Sequence, residues 1–236
     1  ANKEDIFLNN PYVIRLATTP EEEFETTATL LNKNATGSLQ VFAHPHSYST
    51  LWGNEILNRY NSSEKKLTNL PSSLKDYDTV LLEAKDIQVK NLAICLNSGS
   101  YGTFIKQLEK LDYSAKVFSC NALESSADIT AIKDYPQPIY YFSSALNDSF
   151  LKSYQTSNKL GGHIVSIAMM YDISKILASV INNNSKEDLT KQILATGSYN
   201  GAHSESKVMK TIDDQFLSIP FALFQIKQGK ISQIQD

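Results

Sequence analysis

A chain of 236 residues with 42% apolar side chains can bury a full core, as one large domain or two smaller ones. Its formal net charge of −3 is dispersed along the sequence, which excludes a nucleic-acid footprint and a polybasic membrane patch. No uninterrupted apolar run approaches the roughly 20 residues of a bilayer span, and the start lacks the basic and apolar regions of a signal peptide, so a mature or excised segment or a cytosolic protein is expected.

Thr19-Pro20-Glu21-Glu22 supplies an N-cap, a proline at the first helical position and a capping-box glutamate; Phe24, Ala28 and Leu31 then share one helical face. Ser38–His44 is a short apolar run after Gly37 and reads as a strand buried on both faces. Leu51, Trp52, Glu55, Ile56 and Tyr60 predict a second helix, Lys66–Leu70 a less apolar strand, and Leu74, Tyr77, Leu81 and Ala84 a third helix. Asn91–Asn97 is the next strand, and Tyr101, Phe104, Ile105, Leu108 and Leu111 mark the helix after it. Ala115–Cys120 and Pro138–Ser143 are two further strands. This alternation predicts an α/β fold with a doubly wound, mainly parallel sheet and helices on both faces.

The pattern changes after about Leu151. Leu160–Asn182 predicts a long helix, apolar over most of its circumference, and such a helix is normally covered on several sides. Lys186–Ala195 reads as a helix capped by Ser185, and Asn200-Gly201 as a hairpin signal. Ser218–Lys227 and Lys230–Gln233 are strand-like runs joined at Gln228-Gly229.

In order and spacing these segments resemble the type I periplasmic binding protein family, in particular its branched-chain amino-acid-binding members. Asn10–Arg15 resembles the strand entering that family's second lobe, and Val41–Gly53, with Tyr48, the strand that ends in a tyrosine-bearing loop. Val89–Leu111 is similar to the next strand and helix, Tyr171-Asp172-Ile173 to a tyrosine–aspartate pair in a long helix, and Ile219–Ile231 to the closing strand. The resemblance implies an incomplete two-lobe clamshell that begins near the first crossover and lacks the N-terminal half of lobe one. Residues 1–152 with 215–236 would form lobe two, and 153–214 the returning helical part of lobe one. It further implies binding rather than catalysis, no cofactor, a periplasmic or extracellular setting, a small-molecule ligand, and an ABC transporter permease or a receptor as partner.

Ligands of open α/β sheets sit at the carboxyl ends of the strands, and three such ends are polar here: His44–Thr50, Asn97–Tyr101 and Cys120–Glu124. The resemblance places Tyr48, Asn97, Ser98 and Asn121 along the ligand cleft, with Tyr101 and Glu124 nearby; the alternative is ordinary loop residues. Members that bind α-amino acids set an acidic residue against the ammonium group, whereas Asn121 stands there in this chain, with Glu124 three residues later. A buried ammonium without a carboxylate is strongly penalised, so a neutral or differently charged ligand is as well supported as an amino acid. Gly99-Ser100-Tyr101-Gly102 offers amides to a phosphate but lacks the P-loop lysine and the dinucleotide spacing, and turn glycines explain it better. His44-Pro45-His46 has no evident third ligand and reads as loop histidines, not a metal site. No carboxylate pair or nucleophile–histidine set supports catalysis.

Cys95 and Cys120 end strands that a doubly wound order makes neighbours, which leaves two readings: a disulfide in an oxidising compartment, or two buried thiols. The long helix is core, yet part of its surface would be bare, which predicts pairing with a second copy, a homodimer through Leu160–Asn182, or with the absent half. Three functions stay open: a solute-binding or sensing module, a flavodoxin-like enzyme using Gly99–Gly102, and a regulatory half-protein that binds a partner and no small molecule.

Overall fold

The computed structural model of the chain describes residues 14–15, 17–157, 163–181, 188–210 and 215–234. The expectations for Asn10–Val13, Leu160, Asn182, Ser185 and Lys186 fall outside these residues. In chain order the elements are α1 (Pro20–Asn34), β1 (Leu39–Ala43), α2 (Ser47–Arg59), β2 (Lys65–Asn69), α3 (Asp78–Asp86), β3 (Asn91–Cys95), α4 (Tyr101–Lys110) and β4 (Lys116–Ser119). A 3-10 turn (Asn121–Glu124), α5 (Ser126–Ala131), β5 (Ile139–Ser144), α6 (Asp148–Ser157), α7 (Ile164–Ile181) and α8 (Leu189–Ala195) follow. The chain closes with β6 (Ser198–Tyr199), β7 (Ser206–Lys210), β8 (Gln215–Ser218), β9 (Phe221–Lys227) and β10 (Lys230–Gln233). Two compact units emerge: Phe24–Ser143 with Gly161–His163 and Ala222–Asp236, and Ala1–Glu23 with Ser144–Leu160 and Ile164–Phe221.

The first unit is built on a seven-stranded sheet of order β10-β9-β5-β4-β3-β1-β2. Strands β1 to β5 pair in parallel, and β9 and β10 form an antiparallel hairpin. All five residues of β1 and of β3 are buried, as a parallel sheet covered on both faces demands. At the edge, β2 is only partly buried, which explains its weaker apolar signal. On one face Leu39, Val41, Ala93 and Phe118 pack with Phe24, Leu31, Trp52 and Ile56 of α1 and α2. On the other, Phe42 and Tyr77 meet Phe104 of α4 edge-on, at ring separations of 5.6 and 5.3 Å. The doubly wound, mainly parallel sheet is therefore present. The expected cap of α1 also forms, with the Glu22 N–H donating to Thr19 Oγ1 at 3.3 Å.

One boundary differs from the sequence reading. Ser218–Lys227 is not one strand: Ile219-Pro220 separates β8 from β9, because proline brings no N–H to a ladder. Among the described residues helix α8 runs from Leu189 behind Asp188, whose carboxylate accepts the Thr190 N–H at 2.8 Å as a cap. The turn between β9 and β10 follows the sequence signal: Gln228 and Gly229 have φ of 52° and 69°, the positive values of a two-residue hairpin turn.

The second unit holds the antiparallel sheet β6-β7-β8 and helices α6, α7 and α8. Helix α7 is long and apolar enough to cross a bilayer by length and composition alone. Its buried residues, however, recur every four positions as one stripe: Ile164, Ala168, Asp172, Ile176 and Val180. Ile176 and Val180 pack with Ile193, Leu217 and Ile219. Asp172 accepts the backbone N–H groups of Ala202 (2.6 Å) and His203 (3.0 Å) and lies 2.7 Å from His203 Nδ1. A stripe centred on a bonded carboxylate is the inner face of a core helix. Burial on several sides is not found among the described residues: Met170, Tyr171 and Ile181 are 66%, 46% and 65% exposed.

Candidate functional site

Strand order locates the site. From β1 the chain moves outward to β2, then returns across β1 to β3 and proceeds the other way to β4 and β5. The topological switch therefore lies between β1 and β3, and the crevice outside their carboxyl ends is where open α/β sheets take ligands. His44 follows β1 and Asn97 lies just beyond β3. Their loops are tied across the switch: the His44 N–H donates to the Cys95 carbonyl at 3.1 Å, and the Asn97 N–H donates to His44 Nδ1 at 3.0 Å. The imidazole is fully buried. Burial lowers its pKa, the Asn97 bond partly offsets this, and the nearby His46 and Lys75 push in the same direction as burial. The ring is thus neutral at pH 7 and carries its proton on Nε2.

The loop after β3 is held by Asp128 of α5. This carboxylate is 1% exposed. It accepts the Gly99 N–H at 2.7 Å, the Ser98 hydroxyl at 3.3 Å, the Ser125 hydroxyl at 2.5 Å and, through its other oxygen, the Gly102 N–H at 3.4 Å. Amides at the start of α4 that could have cradled a phosphate already hold this internal anion, so the phosphate reading of Gly99–Gly102 is set aside. Gly99 itself has φ of 89°, which a residue with a Cβ seldom adopts.

The expected residues fall into three groups. Asn97 is half-buried and Ser98 exposed, side by side at the switch. Tyr101 is fully buried beneath them: its hydroxyl accepts the Leu96 N–H at 3.0 Å and lies 3.4 Å from Cys120 Sγ. Burial, then the neighbouring cysteines, raise the phenol pKa well above its ordinary value. Asn121 is half-buried on the 3-10 turn after β4, while Glu124 at the end of that turn is fully buried. Tyr48 stands half-buried in the first turn of α2 across the switch, its ring 6.0 Å from that of Phe24. Cys95 ends β3 and Cys120 directly follows the adjacent β4, as buried thiols with sulfur atoms 2.8 Å apart.

Two residues of this edge were missed in the sequence. Asp128 was readable: Ser125-x-x-Asp128 is a capping-box pattern, and the Asp128 N–H indeed donates to Ser125 Oγ at 3.1 Å. His44, which the sequence presents as a loop residue, continues the Gln40, Phe42 alternation of β1 onto the face that packs against α4. Among the described residues no group of three or more His, Cys, Asp or Glu could hold a metal.

Comparison with known proteins gives no matching family and no matching curated sequence. Solved structures do match. A leucine-binding protein, LivK, from Thermotoga maritima has a TM-score of 0.79 at 15% identity, over 99% of this chain and 70% of that one. A putative branched-chain amino acid ABC transporter protein from Rhodospirillum rubrum has a TM-score of 0.75 at 16% identity, over 95% and 68%. The solute-binding protein of an R. palustris ABC transporter, in complex with benzoate, has a TM-score of 0.75 at 12% identity, over 95% and 65%. At these identities the likeness establishes the fold, and the chain spans about two thirds of those chains' length.

Proposed function

We propose, from a fold shared with type I periplasmic binding proteins, that this chain is an extracytoplasmic solute-binding or ligand-sensing module. The observation that carries this reading is the polar crossing of the topological switch, where His44 is bonded to the Asn97 amide beside Ser98 and the Asn121 turn. Tyr48, Asn97, Ser98 and Asn121 line the ligand side, and Tyr101 and Glu124 brace it from below. Residues 1–152 with 215–236 correspond to lobe two of that fold, and 153–214 to the returning part of lobe one. The ligand is a small molecule, and an ABC transporter permease or a receptor is the partner. Leucine in one structural neighbour and benzoate in another favour small carboxylates, amino acids included.

A thermal-shift screen of amino acids, amides, short-chain acids and nucleotides tests the reading. A ligand at about 100 times its Kd adds about 2.7 kcal/mol, a rise of a few degrees in Tm. Stabilisation by any of the first three classes supports it. A response to nucleotides alone would favour the enzyme reading instead. The bare face of α7 supports one second reading, a regulatory half-protein that binds a partner and no solute, for which silence from every class is the expected result.

A further inference from the structure

Cys95 and Cys120 are the chain's two cysteines, and the sheet sets them side by side. The paired register of β3 and β4 runs to Ile94 opposite Ser119, so the next residues on the two strands are Cys95 and Cys120. Neighbouring parallel strands lie about 4.8 Å apart, within the roughly 4.4–6.8 Å that a disulfide spans between Cα atoms. Both side chains enter the same apolar cluster, with Ala93 and Phe118, and each is 1% exposed. Their sulfurs are in direct contact at 2.8 Å. Tyr101 meets the pair from α4: its hydroxyl accepts the Leu96 N–H at 3.0 Å and lies 3.4 Å from Cys120 Sγ. Burial keeps that phenol protonated, so its hydrogen can go to the sulfur whether or not the sulfur carries one of its own.

The place of the pair along the chain gives the contact its meaning. Cys95 is followed by Leu96, Asn97 and Ser98, and Cys120 is the cap residue of the 3-10 turn Asn121–Glu124. The ladder bond at this end is long, with the Cys120 N–H 3.4 Å from the Ile94 carbonyl. A covalent link between the sulfurs closes the sheet where two loops of the candidate site leave it.

We propose that Cys95 and Cys120 are a disulfide site, and that the bond clamps the Asn97–Ser98 loop to the Asn121 turn. The role of the clamp rests on the solute-binding reading: it holds two ligand-side loops at a fixed separation before the solute arrives, which lowers the cost of ordering them. The same reading sets the chain in an oxidising compartment, where such bonds form and persist. The oxidant is a disulfide donor, a small-molecule disulfide or that of an oxidoreductase, and it acts on the folding chain before the sheet is covered. One cysteine thiolate attacks the donor and displaces a donor thiol; the second cysteine thiolate attacks the mixed disulfide and displaces the other. The protein gives up two thiol protons and two electrons, and the donor leaves as two thiols. Once the sheet is covered, burial keeps reductants from the bond.

The test compares the full chain refolded in a mixture of oxidised and reduced glutathione with the same chain refolded and kept in a phosphine reductant. Peptide mapping without reduction should recover Cys95 joined to Cys120, and dithiothreitol should open the bond when denaturant is present but not in native buffer. In the oxidised form the amides of Leu96, Asn97, Ser98 and Asn121 should exchange with solvent at least about tenfold more slowly. Those of Gln88 and Asp112, before the opposite ends of the same strands, should be unchanged. Leucine and benzoate, measured by calorimetry, should bind the oxidised form at least about threefold more tightly. The Cys95→Ser, Cys120→Ser double variant should match the reduced chain in exchange and in affinity. Two free thiols after oxidative refolding, or a bond with unchanged exchange in both loops, overturns the proposal. Slowed exchange with equal affinity overturns the role at the site and reduces the bond to a stabilising cross-link. Failure of both forms to bind either probe counts against solute binding for these acids, while slowed exchange still upholds the clamp.

Discussion

His44 stays neutral because burial outweighs everything else that acts on its ring. Its pKa is lower folded than in the unfolded chain, where it is about 6.5, so at mildly acid pH the unfolded state binds more protons. The contribution of the neutral ring to stability is complete above about pH 6.5 and is lost as pH falls toward the lowered folded value. Urea midpoints between pH 8 and pH 5 should decline, and the decline should be shallower in His44→Asn; parallel curves would remove His44 from the account. Cys95 and Cys120 raise a second question at this scale. One residue beyond the last paired positions of β3 and β4, with sulfurs 2.8 Å apart, they are placed to join. Treatment with oxidised glutathione during refolding should yield one protein disulfide and two molecules of reduced glutathione, read as a loss of two titratable thiols and about 2 Da. Retention of both thiols would leave them as apolar fillers.

At the scale of elements, helix contacts hold the strand-end loops in place. Gly102 in the first turn of α4 faces Ala131 at the end of α5, and a Cβ there would lie 2.5 Å from the Ala131 Cβ. Gly102→Ala is therefore expected to cost about 1–3 kcal/mol by overpacking, and Ala131→Gly should restore most of it in a double-mutant cycle. Urea denaturation measures both, and additive effects would mean that the two helices do not meet there. In the second unit Gly201 has an equivalent reason to lack a side chain, since a Cβ would collide with the Asp172 carboxylate. The approach at Gly102 keeps the short helix α5 against the loop it braces, so that Asp128 can reach the amides at the start of α4.

Over the whole molecule, the two units bury their apolar surface unequally. Helix α7 buries one stripe and leaves Met170, Tyr171 and Ile181 largely exposed. Patches of this kind mark association, and self-association through this helix is the expected result. Light scattering at micromolar concentration should give a mass above that of the 26.3 kDa chain, and Met170→Lys with Ile181→Lys should restore the monomer. A monomer before substitution would argue against the contact.

The sequence by itself determined the local and periodic part of this protein. Alternating apolar runs and helical faces marked β1, β3, β4, β5, α1 and α4 to within a few residues, and turn chemistry marked Gln228-Gly229, because each depends on neighbours along the chain. It missed α5, which is only six residues long, and α6, and it ran β8 and β9 together across Pro220. The strand ends that carry the candidate site were legible as polar loops. Which of them face one another was not, because strand order is a contact between segments far apart in sequence. Only the tertiary structure brought the Asn97 amide to His44 across 53 residues, and the Gly99 amide to Asp128 across 29. Those bonds decided that the histidine is buried with one donor unused and that the glycine loop already holds its anion, since burial and hydrogen-bond partners belong to packing and have no image in spacing.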